Sequence, residues 1–179
     1  MKSSRELATN SSSPSKKQFG GKLTWLGHAA VEIRTPGGRA VVIDPWYGNP
    51  KSPKPATAVT ACDLLLVTHG HSDHFGDALA IASRLGPTWP AIHEMGLWLA
   101  RRLPGGADAV IGMNKGGTVE AAGLKFTMVQ ALHSSGIEDG GQVIYGGEAC
   151  GCRVFTGLER QPAVGIPGEN RFSYLRPVR

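Results

Sequence analysis

The sequence lacks the long apolar segments that mark several protein classes. It has no apolar run near the ~20 residues that a membrane-spanning helix needs, and no apolar stretch of roughly 7–15 residues near its start that would indicate a secretory signal. We therefore expect a cytoplasmic protein with no membrane partner. Its 179 residues can bury one hydrophobic core, so we expect one domain.

Cysteine is also scarce, with only three residues in the chain. Cys62, Cys150 and Cys152 are odd in number and lack the spacing of a disulfide framework, which favours a reducing compartment. The Cys150-Gly151-Cys152 pair has no matching second pair, so a structural four-ligand zinc site is not favoured. Small packed thiols are the simpler interpretation.

Basic residues are in excess, giving a net charge of +5, but they are concentrated at the two ends. Residues 21–150 carry ten basic and eleven acidic side chains. This part of the chain has no basic stripe of the kind that phosphate backbones require, so no nucleic-acid partner is expected.

The two ends differ from the middle in composition. Residues 1–20 are rich in Ser and Lys and hold almost no large apolar side chain, which predicts a disordered leader. Residues 151–179 contain neither His nor Asp and show no clear period. We expect a divergent, poorly ordered tail there, either a degenerate end or the product of a shifted reading frame. The domain is therefore assigned to residues 21–150.

Short strands and helices alternate through this domain, which predicts a layered α/β fold. An antiparallel meander is expected first, then a strand buried on both faces at residues 63–68 and a helix at 75–85 that ends at Gly86-Pro87. The remaining predicted elements are a strand at 89–92, a helix at 94–103, a strand at 109–111, a hairpin of 118–121 with 124–130, and a strand at 143–146.

The run from His69 to His74 carries most of the chemistry in the sequence. Four of its six residues are potential metal ligands, and they follow directly on the predicted buried strand. In an extended segment His69 and His71 point to the same side, so both imidazoles can reach one ion. As the chain turns into the next helix, Asp73 and His74 swing toward a neighbouring position. One short segment can thus serve two metal ions.

Solvated loop histidines are the alternative interpretation of this run. Three of the six histidines in the chain fall within these six residues, beside an aspartate, which favours metal binding. His133 follows another predicted strand and precedes Ser134-Ser135-Gly136. Spacing alone leaves it open whether His133 is a ligand or a packed core histidine.

Five separated motifs resemble those of the metallo-β-lactamase superfamily, and within it a bacterial family of predicted metal-dependent hydrolases. HGHSDH resembles the superfamily's HxHxDH signature. The resemblance covers residues 22–151, and its motifs in order are TWLGHAA (24–30), VVIDPW (41–46), LLVTHGHSDHFGDA, GMNKGGTVE (112–120) and VQALHSSGIEDGG (129–141).

The resemblance implies an αββα sandwich with the first half largely present and the second half incomplete. It implies that one zinc ion is bound by His69, His71 and His133, and that Asp73 and His74 belong to a second metal. Asp44 resembles the aspartate that braces the ligands from behind. His28 matches a family position that lies either behind the ligands or toward the substrate.

The reaction implied is hydrolysis of a small-molecule ester, lactone, amide or phosphoester, with zinc acidifying a water that Asp73 orients. The superfamily's bridging aspartate and final histidine have no counterpart after Cys152, so one well-formed zinc site of the family's two is expected. Two alternatives stay open: a non-catalytic metal-binding or interaction module that pairs its open sheet with a second subunit, and a nuclease, which the slight negative charge disfavours.

Overall fold

A computed structural model describes residues 20–155 and 164–166 of the chain. The leader predicted for residues 1–20 lies outside the described residues except for Gly20. Most of the tail predicted for residues 151–179 lies outside them as well.

The first sheet is a meander extended by parallel strands. β1, β2 and β3 are antiparallel, and β4 adds parallel to β3. A bridge between Leu64 and Thr88 continues the sheet into β5, which pairs in parallel with β6. The strands are β1 (Lys22–Trp25), β2 (Val31–Arg34), β3 (Ala40–Ile43), β4 (Leu64–Leu66), β5 (Trp89–Ile92) and β6 (Val110–Met113).

The second sheet is antiparallel and is built from the later part of the chain. Its strand order is β7, β8, β11 and β12. Between β8 and β11 along the chain, β9 and β10 form a separate antiparallel hairpin. The strands are β7 (Thr118–Ala121), β8 (Leu124–Gln130), β9 (Gly136–Asp139), β10 (Gln142–Tyr145), β11 (Cys150–Phe155) and β12 (Val164–Ile166).

The hydrophobic core joins the two sheets. β3 and β4 are fully buried, as their unbroken apolar sequences AVVI and LLL predict, and they share one core cluster with Phe126 and Met128 of β8. The backbone N–H of Cys150, at the start of β11, donates to the Thr68 carbonyl at 2.9 Å. The end of β4 is therefore held between the two sheets.

The helix predicted at residues 75–85 is wrong as a single element. The chain forms α1 (Ser72–Phe75) and α2 (Ala78–Leu85), interrupted at Gly76. The backbone N–H of Asp77 donates to the Pro45 carbonyl, and its carboxylate accepts from the backbone N–H of Tyr47. These bonds to the loop after β3 replace the helical hydrogen bonds at the break.

Other boundaries also differ from the prediction. The helix expected at residues 94–103 is α3 (His93–Ala100), and the strand expected at 63–68 contains only Leu64–Leu66. β9 and β11 were not predicted, because β9 holds Gly, Glu and Asp and β11 holds Gly, residue types that are depleted in strands. β11 also continues past the predicted domain boundary at residue 150.

Two short 3-10 helices, Ala56–Ala58 and Gly106–Ala109, complete the described elements. Across residues 20–155 and 164–166, every helix is too short or too polar to cross a lipid bilayer.

Candidate metal centre

The site begins where β3 and β4 end side by side. Because the two strands are parallel, Asp44 and Thr68, just beyond them, meet at the same edge of the sheet. Asp44 has a φ of 45°, in the left-handed region that non-glycine residues seldom adopt. Such strain is typical of functional positions, where surrounding contacts hold the backbone in place.

The Asp44 carboxylate is fully buried and accepts three hydrogen bonds. Oδ1 accepts from the Thr68 backbone N–H at 2.7 Å, and Oδ2 accepts from the Thr68 hydroxyl at 2.8 Å. Oδ2 also lies 2.9 Å from Nδ1 of His74, whose ring is buried as well. This carboxylate therefore ties the end of β4 to α1.

Three histidines converge in front of this network, and we call them the first donor group: His69, His71 and His133. One donor atom of each lies within 4.8 Å of those of the other two. The ring of His69 packs against the rings of His71 and His133, with centroid distances of 4.6 and 4.4 Å. Donor atoms this close to one another can bind a single cation.

Hydrogen bonds behind the rings fix which nitrogen carries the proton. Thr68 donates its one hydroxyl proton to Asp44, so it accepts from Nδ1 of His69 at 3.0 Å. Nδ1 of His133 donates to the Ser134 carbonyl at 2.8 Å. In both rings Nε2 is then the unprotonated atom, with its lone pair available to a metal.

His69 has the most distinctive environment of the group. Its side chain is buried, and Nε2 has no hydrogen-bond partner among the described residues. Burial, followed by the neighbouring His74, His133 and His71, lowers the pKa of His69 to about 3. The ring is therefore neutral at physiological pH, which is the form that binds metal.

The second donor group consists of His28, Asp73 and His74, whose donor atoms also lie within 4.8 Å of one another. His28 Nε2 is 3.2 Å from His74 Nε2 and 3.1 Å from Asp73 Oδ2. Because His74 donates through Nδ1 to Asp44, its Nε2 also faces the group as a lone pair. The His69 and His74 rings pack against each other with their centroids 4.1 Å apart, so the two donor groups are in contact.

Gly70 allows the backbone between His69 and His71 to pack closely against the loop after β8. A Cβ at this position would lie 2.6 Å from Ile137 Cγ1 and 2.8 Å from the Gly136 carbonyl oxygen. The Gly70 N–H instead donates to the Ser135 hydroxyl at 3.2 Å. This contact sets the position of the segment that carries His133.

The structure brings all of the predicted site residues together around one centre. His69, His71 and His133 form one group, Asp73 and His74 lie in the other, and Asp44 stands behind both. His28 lies among the donors of the second group. The structure thus places these residues near one another, and their roles stay predictions.

Sequence reasoning missed three contributors to the site. The Thr68 hydroxyl lies between Asp44 and His69 and is hydrogen-bonded to both. The Ser135 hydroxyl accepts a hydrogen bond from the Gly70 N–H. The Trp46 ring packs edge-on against the His28 ring, with ring centroids 5.3 Å apart. Thr68, just before the histidine run, and Gly70, inside it, could have indicated a hydrogen bond and a close backbone contact at the site. The Trp46 contact depends on a loop conformation that has no local signature.

Comparison with known families decides the relationship that these motifs indicate. A family profile described as "Beta-lactamase superfamily domain" matches residues 22–155. The chain belongs to the beta-lactamase superfamily. The prediction from the five motifs is thereby confirmed.

A superfamily relative from Koribacter versatilis, named UPF0173 metal-dependent hydrolase, is 50% identical over 131 residues. The match covers 73% of this chain and 55% of that protein. The chain thus spans about half the length of the curated relatives it matches.

Solved structures support the fold. A metallo hydrolase of the archaeon Ignicoccus hospitalis, Igni18, is 31% identical with a TM-score of 0.66, covering 83% of this chain and 60% of that one. The diiron β-hydroxylase CmlA of Streptomyces venezuelae matches at 21% identity and a TM-score of 0.54, covering 76% of this chain and 28% of that one. The predicted metallo-β-lactamase type of α/β fold is confirmed.

The donor set of the first group fits a divalent metal ion. It offers three imidazoles, two of them with Nε2 left as the lone-pair atom by partners behind the ring, and one of these nitrogens is buried without a protein partner. Three nitrogen donors with an open fourth position are typical of catalytic zinc.

Proposed function

We propose that this chain supplies the metal-binding half of a hydrolase that cleaves a small-molecule ester, lactone, amide or phosphoester with the help of zinc. The observation that carries this proposal is the first donor group, in which three histidines converge and His69 Nε2 is buried without a hydrogen-bond partner in the described residues. Relatives that carry the name metal-dependent hydrolase support it.

In this proposal His69, His71 and His133 hold the ion. The chemistry that zinc supplies when bound is the acidification of water, whose pKa falls to about 7. Thr68 and the Ser134 carbonyl keep Nε2 of His69 and of His133 unprotonated, and the rigid end of β4 orients His69. In the neutral imidazole, His69 and His133 thus each present an Nε2 lone pair to the ion.

Asp73 is the proposed catalytic carboxylate, and it also acts with His74 as a donor to a second metal ion. Its side chain is 40% exposed, on the open side of the site, where it can orient a water molecule and accept its proton. The buried Asp44 carboxylate, by contrast, is fully engaged by Thr68 and His74. The two aspartates thus have different functions.

The substrate in this proposal is a small molecule, and the protein acts in the cytoplasm. The domain carries nearly balanced charge, which suits a compact substrate better than a phosphate backbone. The three cysteines are buried free thiols, as a reducing compartment allows.

The test combines metal analysis with turnover. After reconstitution with Zn²⁺ and dialysis, we expect His69→Ala to lose most bound zinc, together with any hydrolysis of p-nitrophenyl acetate, a simple lactone or bis(p-nitrophenyl) phosphate. His93→Ala is the matched control, because His93 opens α3 outside both donor groups. It should keep wild-type zinc content and turnover.

Two results would count against the proposal. Equal zinc retention in wild type, His69→Ala and His93→Ala would contradict the assignment of the first donor group. Zinc binding without turnover of any substrate would favour the alternative function, a non-catalytic metal-binding module.

A further inference from the structure

The geometry points to His28 as a direct ligand of a second divalent ion, together with Asp73 and His74. This inference rests on the proposed function, since it adds an ion beside the first donor group. It gives the second site a third donor from within this chain, and that donor comes from the turn between β1 and β2.

The distances within the second donor group support metal coordination. Tetrahedral zinc with ligand bonds of about 2.0–2.1 Å places neighbouring ligand atoms about 3.3 Å apart. His28 Nε2 lies 3.2 Å from His74 Nε2 and 3.1 Å from Asp73 Oδ2. Two of the three pairs thus have this spacing, and all three donor atoms lie within 4.8 Å of one another.

Proton counting gives a second argument. His74 donates through Nδ1 to Asp44, so its Nε2 has a lone pair directed at the group. The Asp73 carboxylate also offers lone pairs. In the metal-free chain His28 Nε2–H donates to both of these acceptors, and a divalent cation within reach of all three atoms would take the place of that shared proton.

The backbone at His28 gives a third, independent argument. His28 has a φ of 47°, and together with Asp44 it accounts for two of the three non-glycine residues with positive φ in the described part of the chain. A left-handed histidine costs free energy that glycine would avoid. A role for the imidazole at Asp73 and His74 accounts for a histidine at this strained position.

Several contacts hold this turn in place. Trp25 Nε1 donates to the His28 carbonyl at 2.8 Å, and the Ala30 N–H donates to the Gly27 carbonyl at 3.0 Å. The Trp46 ring packs edge-on against the His28 ring. The donor is therefore positioned before an ion binds.

The test titrates the full chain with Co²⁺ and follows its visible absorption, which reports each ion as it is bound. We expect two equivalents for wild type and for the control His93→Ala. His28→Gly should bind one equivalent, with the absorption of the first donor group retained. His69→Ala should instead lose the ion of the first donor group.

The two variants His28→Gly and His28→Ala separate a ligand from a residue that only shapes the turn. Glycine suits the positive φ, so the metal-free His28→Gly chain should be at least as stable to heat as wild type, while alanine is strained. A ligand role predicts that both variants lose the second ion. A purely conformational role predicts that His28→Gly keeps it, which would overturn the inference.

The remaining outcomes distinguish this inference from the proposed function. One equivalent in wild type would overturn the second site and leave the first intact. No bound Co²⁺ in wild type would reject both, because the first donor group would also have failed.

Discussion

The two donor groups differ in how their members are held. In the first group, His69 and His71 lie on either side of Gly70, whose backbone packs tightly against the segment that follows His133. His69 is buried. The second depends on the turn between β1 and β2 and on α1, and the side chains of His28 and Asp73 are 26% and 40% exposed. The first group is thus a rigid, partly desolvated site, while the second is open to solvent and to substrate.

Asp44→Asn is expected to change metal binding the most, because Asp44 is linked to both donor groups, to His74 directly and to His69 through Thr68. An amide nitrogen in place of Oδ2 would donate to His74 Nδ1 and to the Thr68 hydroxyl, which would then donate to His69 Nδ1. Both histidines would carry their proton on Nε2 and could not bind metal until the network rearranged. We expect metal affinity to fall about 10–100-fold at both groups, measured by Co²⁺ titration.

The fold should survive this change, since Asn also tolerates the positive φ of Asp44. Asp63→Asn is the control, because that carboxylate binds Arg39 and the Ala40 N–H away from the site. Unchanged metal affinity in Asp44→Asn would show that the tautomers are not set by this carboxylate.

Gly70→Ala should weaken metal binding at the first donor group more than at the second. The new methyl would meet Ile137 and the Gly136 carbonyl well inside contact distance, and such overpacking typically costs about 1–3 kcal/mol. We expect a lower urea midpoint and weaker binding at the first group, with the second group less affected.

Gly37→Ala is the matched control for this change, since a Cβ there has only Thr35 Oγ1 nearby, at 3.9 Å. A Gly70→Ala chain with wild-type stability and wild-type metal binding would contradict the tight contact between the two segments.

Asn49→Ala should give the smallest effect and act on the second group alone. Its Nδ2 donates to the Leu26 and Trp46 carbonyls at 3.0 and 2.6 Å, which fixes the turn that leads to His28. Loss of these bonds should cost about 1–3 kcal/mol of folding free energy and weaken the second ion in Co²⁺ titration. Asn114→Ala, at an exposed residue, serves as the control. Equal weakening of both ions would show that the groups are not held independently.

Much of the site could be predicted because its chemistry is concentrated in one segment. The run from His69 to His74 follows a continuous apolar strand, and this local pattern indicates both a buried position and a common direction for His69 and His71. Asp44, at the end of another apolar strand, was placed by resemblance to a known motif.

The features that the sequence did not predict depend on contacts between residues far apart in the chain, which no local pattern encodes. The break at Gly76 arises because the N–H and the carboxylate of Asp77 bind the loop after β3, while its carbonyl begins α2. The position of His28 among the donors follows from the fold of the turn against Asn49 and Trp46. β11 was missed because its strand conformation is set by pairing with β8 and β12, which its own residues do not indicate.

The hydrogen bond from Cys150 to the Thr68 carbonyl has a consequence for the order of folding. The backbone just before His69 is held by a residue 82 positions later in the chain, and the donors themselves extend from His28 to His133. Loop closure over such separations is slow, so the first donor group, whose His133 follows β8, is not complete until the two sheets have docked. Acquisition of metal by the first donor group should therefore be a late event that reports a finished tertiary structure rather than a nucleus that starts it.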